Sequence, residues 1–202
     1  MTNPELADIP EQWPVVQTED RHRDDWVVAL REDWIQRPGA PEEEPFSRLV
    51  LEHPGAVVVL AVDDEERVLC LWQYRHPAGR RFVELPAGLL DVDGEDPAVT
   101  AQRELVEEAG LAADSWTHLG TSYSSPGISS EIHQYYLARG LREVERGDFV
   151  AHHEEADMQT GWVPYAELRA AALDGRLTDA HTMLAVLLAG DRGLVGTPDR
   201  RE

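Results

Sequence analysis

The sequence holds a single cysteine, Cys70, so no internal disulfide is open to it. Such a chain suits a reducing compartment, and Cys70, set in an apolar run, reads as a small core residue. Positive charge is also scarce: 18 basic residues face 39 acidic ones, for a formal net charge of −21. That deficit argues against nucleic acid and anionic membrane as partners, since both need basic patches. It also repels phosphorylated substrates unless cations mediate. No apolar run approaches the roughly 18 residues of a membrane-crossing helix. The opening MTNPELADIPEQWP has no basic segment followed by an apolar one, so no secretion signal is expected and the cytoplasm is the expected compartment. Internal repeats and heptads are lacking as well.

What is present is enough for one sizeable core, with 202 residues and 42% hydrophobic content. Residues 1–20 read as an irregular leader, followed by a strand over Asp25–Ile35 and an exposed Pro/Gly/Glu loop. Further strands are expected at residues 46–53, 56–64, 68–76 and 80–88, the second of these apolar enough to be buried on both faces. A helix follows Gly94, with Asp96 as N-cap, Pro97 at its first position and Gly110 at its stop. Its apolar stripe is Ala98, Ala101, Leu105 and Ala109. Strands near residues 121–125 and 131–141 flank the tight loop SPGISSE, and a polar loop then leads to a last strand at TGWVP. Two amphipathic helices, YAELRAAALDG and TDAHTMLAVLLAG, come last. This order of strands, helix, strands and helices points to α+β, a mixed-sheet sandwich with helices on its faces, not a βαβ repeat. We expect an N-terminal strand sub-element over 1–50, a catalytic domain over 51–190 and a flexible tail over 191–202.

The stretch with most chemistry in it runs from Glu84 to Leu111. At about 3.6 residues per turn, Glu104 and Glu108 share a face of the helix and Glu107 lies beside them. Like charges so spaced repel, so the helix alone gains nothing from them. A hard divalent cation would convert the repulsion into a site. The apolar strand and Gly-containing turn LPAGLL just before can bring backbone oxygens to the same ion. An E-x2-E-E helix taken alone is ordinarily a solvated face; the register of its neighbours changes that reading.

That register is Gly88, six residues, Glu95, seven residues, Arg103-Glu104-Leu105, one residue, Glu107-Glu108, one residue, Gly110-Leu111. It resembles the Nudix box, G-x5-E-x7-R-E-U-x-E-E-x-G-U with U a bulky aliphatic. The one departure is an extra residue before Glu95. RRFVELPAGLLD, SPGISSE at 125–131, HHEEADM at 152–158 and RLVLEHPGAVVVLAV at 48–62 are similar to segments of the ADP-ribose pyrophosphatase branch of that superfamily. The likeness spans roughly residues 25 to 190.

The resemblance implies an α/β/α sandwich with a mixed sheet and added N-terminal antiparallel strands. It implies cleavage of the pyrophosphate of ADP-ribose to AMP and ribose 5-phosphate, with Mg²⁺, or Mn²⁺, as cofactor. Glu104, Glu107, Glu108 and the Ala87 carbonyl would hold the metal, and Arg103 would keep the carboxylates aimed, with Glu95 in support. The general base would come from the acidic loop, as Glu154 or its neighbour Glu155. Arg48, Arg75, Gly127, Glu131 and Trp26 would meet a nucleoside diphosphate substrate. The N-terminal strands would exchange between the subunits of a homodimer. His133, His152 and His153 are left out of the metal site because a hard cation prefers oxygen. Two alternatives stay open: another nucleoside diphosphate sugar as substrate, or a sensor that binds ADP-ribose without cleaving it.

Overall fold

The computed structural model describes residues 6–146 and 157–196, which fall into two units. The first comprises the chain up to His53 together with Ser125–Ser130. It is a three-stranded antiparallel meander, β1 (Val15–His22), β2 (Ala29–Ile35) and β3 (Phe46–Glu52), in that order. The strand β1 corrects the expectation of an irregular leader. None of its eight residues is buried, so it shows no alternation of apolar and polar positions. Its order comes from the ladder and from cross-strand pairs: Thr18 Oγ1 donates to Asp33 Oδ1 at 2.9 Å, and Arg21 pairs with Glu32. The expected strand at Asp25 starts only at Ala29, because the Asp24 carboxylate accepts from the Trp26 N–H at 2.9 Å and bends the chain there. The 125–130 segment joins this unit through Leu51, whose N–H donates to Ile128 O at 2.7 Å and whose carbonyl accepts from Ser130 N at 3.1 Å.

The second unit is built around β4 (Ala56–Ala61), all six of whose residues are buried. It lies inside a mixed sheet ordered β7 (Ala87–Leu89), β4, β9 (Ile132–Glu143) and β8 (Leu111–Tyr123). β4 runs parallel to β9 and antiparallel to β7. A second sheet, antiparallel, is ordered β10 (Gln159–Pro164), β5 (Arg67–Arg75) and β6 (Arg80–Glu84). The pleat of β4 divides the core in two. Val58 and Leu60 face the cluster of Val68, Cys70, Tyr135 and the helices α2 (Tyr165–Leu173) and α3 (Ala180–Asp191). Val57, Val59 and Ala61 face the helix α1 (Pro97–Ala109) through Ala101 and Leu105. This is the expected sandwich, with an apolar run buried on both faces at its centre.

The punctuation of α1 is as expected. Asp96 accepts from Ala98 N at 2.9 Å, and Gly110, with φ 66°, donates its N–H to the Leu105 and Val106 carbonyls. The helix is turned so that Thr100 and Glu104 are buried beside Ala101 and Leu105. A carboxylate therefore faces the sheet. β8 begins at Leu111, directly after the cap, ten residues earlier than the sequence suggests. Much of its first half is half-exposed, and a bulge between His118 and Gly120 breaks its register, so no clean period marks it. Val195 past α3 is still buried, and Arg139 donates to the Leu194 carbonyl at 2.9 Å.

Candidate active site

The strand β7 pairs with β4 through Val57 and Gly88 and through Val58 and Ala87, and α1 packs across it. The contact is close enough to exclude a side chain at residue 88. A Cβ on Gly88 would stand 2.0 Å from Cδ of Glu104. One turn on, Glu108 Oε2 accepts from the Ala87 N–H at 3.0 Å. The strand β7 and the helical carboxylates are thus held against one another at two successive residues, Ala87 and Gly88.

Arg103 gathers the remaining carboxylates. Its Nη1 lies 2.7 Å from Glu104 Oε1 and 3.3 Å from Glu107 Oε2, and its Nη2 lies 3.7 Å from Glu95 Oε2. Glu95 also accepts from Thr100 Oγ1, a fully buried hydroxyl, at 2.7 Å. The extra residue before Glu95 does not remove it from the cluster. It is absorbed in a turn in which Glu95 N donates to Val92 O at 3.1 Å and Gly94 takes φ 77° in open space. Thr100 was not singled out from the sequence; a lone threonine on the helix gives no signal of the carboxylate it holds.

Burial pushes the Glu104 carboxyl up to about 7, opposed by Arg103 and reinforced by Glu107 and Asp91. The donor set is all oxygen, on one helix face and around one glycine gap, and its chemistry fits a hard divalent cation. As described, Glu104 and Glu107 lie on Arg103 and Glu108 lies on the Ala87 amide. Accordingly, no three carboxylate, imidazole or thiol groups among the described residues converge as a metal cage.

Beside the cluster, Arg75 on β5 grips Glu84 on β6, with Nη2 2.7 Å and Nε 3.0 Å from the carboxylate. Glu84 holds the Arg75 guanidinium above its ordinary range against the pull of burial, and Glu108 and Asp179 add smaller contributions of the same sign. Glu84 was missed by the sequence reading, because a strand glutamate among apolar neighbours shows nothing of its partner. In the same unit, Glu131 Oε1 lies 3.6 Å from His133 Nε2. Three other expected substrate residues belong to the first unit. Arg48 Nη1 donates to Ser47 O at 2.8 Å and its guanidinium lies 4.4 Å from the Phe46 ring centroid. Trp26 is 67% exposed, and no atom of the described residues lies within 4 Å of a Cβ built on Gly127. Glu154 and Glu155, with His152 and His153, lie outside the described residues.

The model of the NUDIX domain family matches residues 52–185, well over half of the chain. The chain belongs to the Nudix family. It is a Nudix hydrolase, 48% identical over 161 residues to the ADP-ribose pyrophosphatase of Mycobacterium tuberculosis, covering 80% of this chain and 75% of that one. It is also 35% identical over 160 residues to the methanol dehydrogenase activator of Bacillus methanolicus, covering 79% of this chain and 83% of that one. Among solved structures, the crystal structure of an ADP compounds hydrolase superposes with a TM-score of 0.73 at 17% identity, over 93% of this Nudix chain and 98% of that one. At that identity the superposition shows the Nudix fold alone. Family and fold both agree with what the residues between Gly88 and Leu111 imply.

Proposed function

We propose that this Nudix hydrolase cleaves the pyrophosphate of ADP-ribose, giving AMP and ribose 5-phosphate, as a cytoplasmic homodimer that uses Mg²⁺, with Mn²⁺ as a substitute. What supports the reading is the carboxylate cluster of α1 locked onto Ala87 and Gly88, in a chain 48% identical to an ADP-ribose pyrophosphatase. The metal, held by Glu104, Glu107, Glu108 and the Ala87 carbonyl, supplies neutralisation of the phosphate oxygens and stabilisation of charge as it develops. Arg103 keeps the carboxylates aimed, its single positive charge shared among Glu104, Glu107 and Glu95. Arg75 and Arg48 bind phosphate or ribose oxygens, an arginine being suited to bidentate contact. Glu131 holds the terminal ribose, Gly127 lets backbone approach the substrate, and Trp26 stacks on adenine. Glu154 takes the proton from the attacking water, with Glu155 as the alternative base. The first 50 or so residues form the element exchanged between subunits, and 51–190 form the catalytic domain.

The likeness to a methanol dehydrogenase activator is why the substrate needs its own test. We expect AMP release from ADP-ribose within a panel of nucleoside diphosphate compounds, dependent on Mg²⁺, abolished by chelator and lost in Glu108→Gln. Turnover of a sugar nucleotide but not of ADP-ribose moves the specificity elsewhere. Binding of ADP-ribose without turnover of any compound makes the chain a sensor. A sedimentation mass of one subunit removes the homodimer.

A further inference from the structure

We propose that His133 is a positioning residue for Glu131, itself held by a hydrogen-bond chain that passes through His181 on α3. The inference rests on the reading of Glu131 as a substrate contact and names what aims it. His133 on β9 is 5% exposed, and its ring stacks on that of His181 with centroids 3.7 Å apart and planes at 22°. Ser124 Oγ lies 3.0 Å from His133 Nδ1 and 3.5 Å from His181 Nε2. On the far side of His181, Nδ1 lies 2.8 Å from the Tyr135 hydroxyl, which is itself 2.7 Å from Ser122 Oγ. Ser124 N also donates to the Glu131 carbonyl at 3.3 Å, closing the end of the β8–β9 pair beside the carboxylate in question.

The chain can run in either direction, and charge favours the one that turns an N–H of His133, not a lone pair, towards the Glu131 carboxylate. In that direction Tyr135 donates its O–H to His181 Nδ1, His181 Nε2–H donates to Ser124 Oγ, and Ser124 donates to His133 Nδ1. The proton of His133 is then left on Nε2, the nitrogen that faces Glu131 at 3.6 Å. At that distance the contact is electrostatic, not a hydrogen bond, and it orients the carboxylate by the N–H dipole. Neighbouring β9 positions bury tyrosine and leucine, as at Tyr135, Tyr136 and Leu137, so packing alone does not call for an imidazole here.

The test compares His133→Phe, which keeps the stacking ring, with His133→Gln, whose amide N–H reaches towards the place of Nε2, each with and without Glu131→Ala. With ADP-ribose as probe, His133→Phe is expected to raise KM about tenfold and change kcat less than about twofold, with the Gln variant within about threefold of wild type in KM. In the Glu131→Ala background His133→Phe should add nothing. If Glu131→Ala raises KM while His133→Phe does not, the positioning role is overturned and the substrate reading of Glu131 stands. If both leave KM unchanged, the reading of Glu131 fails and the positioning role falls with it. An equal rise in KM from His133→Phe with and without Glu131 marks a merely structural residue and overturns the proposal. Should His133→Phe fail to fold, as thermal melting would show, His133→Asn takes its place, since its shorter amide does not reach Glu131. KM for the Asn variant no higher than for Gln is the overturning result.

Discussion

The carboxyl group of Glu104 occupies the space that a side chain on residue 88 would fill, 2.0 Å from where a Cβ on Gly88 would stand. Glycine is therefore required here by close approach and not by a left-handed backbone. The Gly88→Ala variant must push either Glu104 or β7 aside, and overpacking of this kind costs about 1–3 kcal/mol. Its melting temperature should fall, and its turnover should fall far more, by about 100-fold, because the displaced group is a proposed metal ligand. A folded Gly88→Ala protein with wild-type turnover would show that Glu104 need not stand where it does.

Glu104 also sets a pH dependence in the metal-free protein. Its carboxyl lies at about 7 in the fold, chiefly through burial, against an ordinary 4.5. The folded state thus binds this proton more tightly than the unfolded chain, so the group's contribution to stability falls as pH rises from about 4.5 to about 7 and stays low above it. The separation corresponds to on the order of 3 kcal/mol. Glu104→Gln removes the titration. Denaturant unfolding in chelator should find wild type and variant alike near pH 4, and the variant more stable by about 2–3 kcal/mol at pH 8. Turnover with Mg²⁺ should be lost in the same variant. Parallel stability curves across that range would mean that Glu104 is not strained by burial.

Much of this site was legible because its signals are local. Asp96, Pro97 and Gly110 fix the ends of α1 by capping, and the spacing of Glu104, Glu107 and Glu108 fixes their common face. What was not legible depends on partners distant in sequence or on weak periodicity. Glu84 stands opposite Leu71 in the β5–β6 register, four residues along the strand from the arginine that grips it. The burial of Glu104 follows from the rotation of α1 on β7, which its narrow stripe of alanines leaves undetermined. β1 has no buried face, so its order is set by β2 and not by its own pattern. The His133–His181 stack joins β9 to α3, 48 residues apart in the chain, and a histidine among strand residues gives no sign of it.

Cys70 offers a probe of the core that does not touch the site. It is fully buried on β5, and burial pushes its thiol up to about 12. At pH 8 a small thiol-directed reagent should label the native protein no faster than the protein unfolds, and label it fully in denaturant. Rapid labelling of the native protein by a reagent of this kind would show that β5 opens locally.

Arg75 is held by Glu84 in the fold and is proposed to meet the substrate as well, and these two roles are separable. Arg75→Met keeps the bulk of the stem but leaves the Glu84 carboxylate, 8% exposed, without its cation. Stranding a largely buried charge should cost on the order of 2 kcal/mol. Adding Glu84→Gln removes the stranded charge, so the double variant should recover more than half of the lost stability in denaturant unfolding. Phosphate contact cannot be recovered in that way, because the guanidinium is still missing. The expected pattern is a KM for ADP-ribose raised about tenfold in Arg75→Met and equally in the double variant, with stability restored only in the latter. If the double variant regains wild-type KM along with its stability, Arg75 serves only to hold Glu84 and the β5–β6 pair, and phosphate recognition belongs to other arginines.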